Sequence, residues 1–184
     1  NDIHVGETLT AYNTLTDEDG KEMGIYNSSD YRVTESKSVE STVSSMYPDL
    51  YGLTKMDANI KPTKLTVRNT MESEEDANKI SFYILTNEDK KVMNDILRTA
   101  FLNTKKKVSS YYAMASNGEI TRASASKESA MTWKAYYSVV ESIFTMFDVT
   151  DETGKIVYKE KAMDFGYAST IQKSLGSTYT YAFV

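Results

Sequence analysis

Two near-identical hexapeptides raise the first question of chemistry. TDEDGK runs from Thr16 to Lys21 and TDETGK from Thr150 to Lys155. Acidic, glycine-containing loops can hold a divalent cation. An EF-hand loop, however, needs oxygens at positions one, three and five, glycine at six and a bidentate glutamate at twelve. Counted from Asp17, Asp19 fills the third position, but Gly20 stands at four, Lys21 at five and Ser28 at twelve. Counted from Asp148, Thr150 and Glu152 fit, but Gly154 falls at seven. A tight turn asks for less. A leading Asp bonds the backbone two residues on, and a closing Gly accepts the left-handed conformation. Both hexapeptides are therefore expected to be hairpin turns. The acidic run from Glu72 to Asp76 is expected to be a solvated connector.

The remaining chemical candidates are sparse. The chain has one histidine, His4, so a Ser–His–Asp site would have to recruit it and a multi-histidine metal site cannot form within one chain. SASK, Ser124 to Lys127, has the S-x-x-K spacing of serine–lysine acyl transferases, and SNG at Ser116 to Gly118 is like a second motif of those enzymes. The order is wrong and the K-T-G element is missing. Ser126 as a helix cap with Lys127 in the first turn accounts for SASK more simply. No glycine-rich phosphate loop occurs. No carboxylate pair stands out for glycoside hydrolysis. No catalytic residue, metal ligand or cofactor is assigned.

Tyrosine is the unusual component, with 14 residues. Tyr111-Tyr112 and Tyr136-Tyr137 are neighbouring pairs, and one ring of each pair is expected to reach the surface. Tyr47, Tyr51, Tyr179 and Tyr181 add to the set. Tyrosine offers large contact area with a polar handle, which suits interfaces and sugar platforms. Tyr179, Tyr181 and Phe183 alternate on one face of STYTYAFV and are the interaction residues that the sequence offers.

The elements that would carry these residues begin weakly. Residues 1–60 are polar and thinly patterned. Ile3, Val5, Leu9 and Ala11, then TDEDGK, then Met23, Ile25 and Tyr26 read as a hairpin. Ser28 to Ser45 reads as edge strands or a long surface loop, and YPDLYG, Tyr47 to Gly52, as a turn. KPTKLTVR (Lys61 to Arg68) and KISFYIL (Lys79 to Leu85) read as an antiparallel pair, the second carrying apolar residues on both faces as a central strand would. Val92, Met93, Ile96, Leu97, Ala100 and Phe101 recur at helical steps, giving a helix from Thr86 or Asn87 to about Asn103. VSSYYAMA and EITRASAS flank Asn117-Gly118, a type I′ signal for a β-hairpin. A helix over about 127–140, a strand through Val149 and a return strand over IVYKEKAM follow. Asp164 to Gly176 reads as loop or short helix, and STYTYAFV as a last strand.

The totals bound the whole. A chain of 184 residues suggests one domain. Net charge is −5, and the only basic run is Lys105 to Lys107, so nucleic acid and anionic membranes are not expected partners. No apolar stretch approaches the roughly 18 residues of a membrane span. The absence of cysteine removes disulfides, thiolate metal sites and cysteine nucleophiles. The chain opens on Asn1, and something is expected to precede it.

The expected fold is α+β: an antiparallel sheet, sandwich or barrel-like, with one or two packed helices. The expected function is a non-enzymatic structural or assembly protein, a self-associating subunit of a virion, tail or surface filament. The C-terminal strand would pair with a neighbour's edge. The alternative is an extracellular binding module that holds a glycan, peptide or small ligand on surface tyrosines. The expected partner is a second copy or another protein subunit.

Overall fold

The computed structural model describes residues 2–17, 19–73, 78–151, 153 and 155–166. In chain order its strands are β1 (Thr8–Ala11), β2 (Asp30–Ser38), β3 (Ser41–Thr42), β4 (Asn59–Ile60), β5 (Thr63–Asn69), β6 (Ile80–Ile84), β7 (Val149–Thr150), β8 (Ile156–Lys159) and β9 (Met163–Phe165). Its helices are α1 (Val43–Met46), α2 (Pro48–Thr54), α3 (Lys90–Ser116) and α4 (Arg122–Glu141). The fold is α+β, with a curled five-stranded antiparallel sheet and helices beside it, as the sequence leads one to expect.

The sheet order is β6-β5-β2-β1-β9, and every pairing is antiparallel. Period-two alternation places Leu9, Tyr31, Val33, Leu65, Val67, Phe82 and Ile84 in one buried cluster. Each such side chain contributes about 1.5–3 kcal/mol when fully buried. Two expectations are corrected here. The Ser28 to Ser45 segment supplies β2, the middle strand, rather than an edge or a loop. Its core signal is only Tyr31 and Val33, because the register shifts between Val33 and Glu35 and the rest of the strand is polar. Conversely KISFYIL forms an edge strand, not a central one. Its Tyr83 points outward and is partly solvated, so the two-faced apolar pattern was an aromatic at the surface. The antiparallel pairing of β5 with β6 is as expected.

A second cluster lies among the helices. It joins Met93, Ile96, Leu97 and Ala100 of α3 to Tyr136 and Val140 of α4, with Val43, Leu50 and Leu85. Residues 143–147 run between the two cores. Ile143 and Phe147 enter the helical cluster while Phe144 and Met146 enter the sheet cluster. That double duty explains the alternation that reads as a strand. Backbone pairing there is a parallel bridge of Leu85 with Thr145, an Ala162 N–H bond to the Thr145 carbonyl and the short β7. The expected return strand over 156–163 is likewise divided between β8 and β9.

The helices depart most from expectation. YPDLYG is not a turn: Pro48 occupies the first turn of α2, where its missing N–H costs nothing. Helix α3 does not end near Asn103 but continues to Ser116, and no β-hairpin surrounds Asn117-Gly118. A type I′ turn needs positive φ at both residues, yet Asn117 has φ −84° and only Gly118 is positive, at +75°. The Gly118 N–H donates to the Ala115 carbonyl, and the Glu119 N–H to that of Met114. This is a Schellman cap, with glycine in the residue just past the helix. Helix α4 then starts at Arg122, capped by Thr121, whose hydroxyl oxygen accepts the Ser124 N–H at 3.1 Å. Ser126 is therefore not the cap.

Candidate functional site

The αα-hairpin made by α3 and α4 has a packed base and, among the described residues, an end whose side chains are mostly exposed. At the base, the Phe101 and Trp133 rings lie 5.4 Å apart, and Asn103 donates to the Leu53 carbonyl of α2 at 3.0 Å. Beyond Thr104, the last buried residue of α3, the side chains of this helix are exposed or half-buried. Ala125 and Ser129 are the buried residues of α4 in this part, and their small side chains let the two backbones approach.

This arm, residues 104–132, is basic. It carries Lys105, Lys106, Lys107, Arg122 and Lys127 against Glu119 and Glu128, a surplus of +3. The whole chain stands at −5, so everything outside the arm sums to −8. All five basic side chains are exposed, and among the described residues none pairs with an acid. Large apolar groups accompany them. Tyr112 is 43% exposed and Met131 57%. Leu102, Lys105, Ser109 and Tyr112 follow at three- and four-residue steps, which sets them along one stripe of α3.

Both hexapeptides are turns. The Asp17 Oδ1 accepts the N–H groups of Asp19 and Lys21 at 3.0 and 2.9 Å. The Asp151 Oδ1 accepts from Thr153 N at 2.8 Å, the Thr153 hydroxyl at 2.6 Å and Lys155 N at 3.1 Å. These bonds, the Thr153 hydroxyl foremost, hold the Asp151 carboxyl below the usual aspartate range. Among the described residues no group of three or more His, Asp or Glu is arranged to hold a metal ion. No helix among them is long and apolar enough to cross a membrane.

The first turn also borders a cavity of about 370 Å³. Asp17 and Asp19 stand on one side, and Met23, Met46, Phe82 and Phe144 form apolar walls. Tyr47 lines it too, and burial pushes its hydroxyl pKa up, with the nearby Asp89 carboxylate adding to the effect. Asp89 is itself buried before the first turn of α3. One of its oxygens accepts the Lys61 N–H at 2.8 Å, and burial raises its pKa. That bond ties the start of α3 to the segment between β4 and β5.

A second cleft, about 460 Å³, runs along the end of α4. Asn13, Thr14, Tyr137, Glu141 and Lys159 line it. The Lys159 Nζ donates to the Val140 carbonyl at 2.8 Å, so the lysine caps α4 at the negative end of its dipole. Burial holds its pKa down to about 8, against a partial pull upward from Glu141. Tyr137, 49% exposed, stacks on Trp133 at 5.9 Å and 28° beside this cleft.

Of the residues singled out by sequence, Ser124 and Lys127 lie open on α4. His4 is exposed, and its backbone N–H donates to Glu7. Each tyrosine pair has one exposed ring, Tyr112 and Tyr137. Tyr179, Tyr181 and Phe183 fall outside the described residues, as do Glu74 to Asp76 of the acidic connector. Sequence reasoning missed the arm and Lys159. A local charge count over 104–132 would have found the arm. Nothing in sequence marks Lys159, because only folding brings it to the end of α4. No protein-family model matches this chain, and no curated protein is significantly similar to it.

Proposed function

We propose that this protein is a non-enzymatic structural subunit that self-associates, the basic arm of one copy resting on the acidic body of the next. The observation that carries this reading is the charge split between arm and body, +3 against −8. Such complementarity steers encounter and fixes register, while the exposed Tyr112 and Met131 of the arm, with Leu102 at its base, supply area to bury. Donor and acceptor surfaces differ, so the contact is heterologous. Repetition gives a ring if the rotation closes and a filament if it does not. A tail, virion or surface filament on the cell exterior is the setting that fits a cysteine-free, tyrosine-rich chain of this kind.

The test is mass in solution by light scattering over a concentration series, at low and high salt. Self-association should appear at low salt and weaken as salt screens the contact. The triple variant Lys105→Glu, Lys106→Glu, Lys107→Glu should remain a folded 20.7 kDa monomer throughout. A wild-type chain that stays monomeric at every concentration refutes the proposal.

The Trp133–Tyr137 stack beside polar Asn13, Thr14 and Glu141 favours a second reading, a binding module for a glycan. Under that reading the chain is monomeric, and Tyr137→Ala loses saccharide binding by calorimetry.

A further inference from the structure

We infer that the cavity between the first hexapeptide turn and β6 is the socket for the arm, and that Lys105 of the neighbouring copy is the side chain that enters it. This rests on the self-association proposed above and specifies its contact. A lysine has an apolar stem and a charged head, and each needs a different surface. The cavity provides both. Met23, Met46, Phe82 and Phe144 can cover the stem, and aromatic rings attract an ammonium through their faces. Asp17 and Asp19 supply opposite charge at one side.

The two acids are not equivalent. Asp17 is fixed by the backbone bonds its Oδ1 accepts, which holds the turn in shape. Asp19 contributes only its N–H to that turn, and its exposed carboxylate is left for a guest. An apolar guest would leave the Asp19 carboxylate without a partner, and an anionic guest would be repelled by both acids. A basic side chain answers both conditions.

Position along α4 decides where that side chain comes from. Ser142, at the end of α4, lines the cavity. Lys105 lies one turn beyond Phe101, which packs on Trp133, nine residues before Ser142. At 1.5 Å per residue, the lysine stands about 20 Å along the helix pair from the cavity of its own chain. Lys105 cannot reach the socket of its own chain, where Lys134 is a basic neighbour of Asp17 and Asp19, and the contact runs head to tail. Lys105 is the fitting donor because Leu102 and Tyr112 share its stripe and would pack on the rim, where Tyr83 is partly solvated.

The chain has no cysteine, so a single introduced thiol is unique. Ser109→Cys and Lys21→Cys place thiols beside donor and socket without altering Lys105 or Asp19. A short bis-maleimide should join the two variants to each other when mixed, and join neither variant to a second copy of itself. Asp19→Lys and Lys105→Glu should each raise the concentration of half-assembly at least tenfold with unchanged circular dichroism. The double variant, with the charges exchanged, should restore assembly. If the wild-type chain assembles but Asp19→Lys assembles equally and Ser109→Cys does not join Lys21→Cys, the socket is refuted while self-association stands. If the wild-type chain never assembles, both fall together.

Discussion

Replacing Lys159 with methionine turns a buried charge into a pH test of the fold. The Lys159 ammonium donates to the Val140 carbonyl, yet burial holds its pKa down from 10.5 to about 8. The folded pKa is therefore below the unfolded one. Between pH 8 and 10.5 the unfolded chain binds more protons than the folded chain, so stability rises with pH across that window. Below pH 8 both states are protonated and the cost of burying the charge is carried in full. At about 1.4 kcal/mol per pH decade the gap amounts to about 3 kcal/mol, reduced to roughly 2 because the side chain keeps some contact with solvent.

Methionine keeps most of the apolar stem and removes the charge, but it forfeits one hydrogen bond worth about 1 kcal/mol. Lys159→Met should thus be about 1 kcal/mol more stable than wild type at pH 7, with the advantage falling to about zero by pH 10. The two stability curves should converge. Urea unfolding followed by the fluorescence of Trp133, the single tryptophan, at pH 7, 8, 9 and 10 reads this directly. The window stays below pH 10 because Tyr31 and Tyr47, held up by burial, begin to oppose folding above it. Parallel curves for the two proteins would refute the buried-ammonium account of this site.

Other substitutions probe separate joints. Gly118→Ala meets no atom within 4 Å, so its cost is the left-handed backbone alone, about 1 kcal/mol by urea midpoint. Gly24→Ala should cost more, because its new Cβ also meets the Ile80 Cδ1 at 3.2 Å on a backbone with φ +84°. Leu97→Ala, in the core of α3, should cost about 2–5 kcal/mol by the same assay. Thr153→Ala should raise the Asp151 carboxyl pKa toward the ordinary aspartate value in an NMR titration, since the Thr153 hydroxyl is the main cause of its depression. An Asp151 pKa unmoved by that change would mean the turn is held some other way.

What could be read in the sequence is what a core writes into it. Val92 to Phe101 shows helical steps because those residues face the body, and α3 is legible up to that point. Leu65, Val67, Phe82 and Ile84 face one core on adjacent strands, and their pairing is legible too. The hexapeptide turns are legible because their chemistry is local: one carboxylate and nearby backbone N–H groups. What failed was governed by distant partners. The polar outer half of β2 is strand because β5 pairs along it, not because its residues ask for it. Asn117-Gly118 has the same letters in a hairpin turn and in a Schellman cap, and the helix entering it decides between them.

The failure over residues 104–132 carries information of its own. Once α3 passes Thr104 it faces no core formed by the described residues, so it has no reason to repeat apolar residues every three or four positions. Serine, alanine, lysine and paired tyrosine replace them, and the segment imitates a strand. The lost periodicity and the exposure of the arm thus have a single cause, the absence of a packing partner among the described residues. An isolated polar helix of this length is marginal in water. This one is held by its base on Phe101 and Trp133, by the close seam at Ala125 and Ser129, and by caps at Gly118 and Thr121. Those devices keep rigid a surface that contributes little to the fold's own core. A helical, basic, tyrosine-bearing arm on an acidic body has much of its ordering entropy settled before any encounter, and that preorganisation is what the proposed subunit contact would draw on.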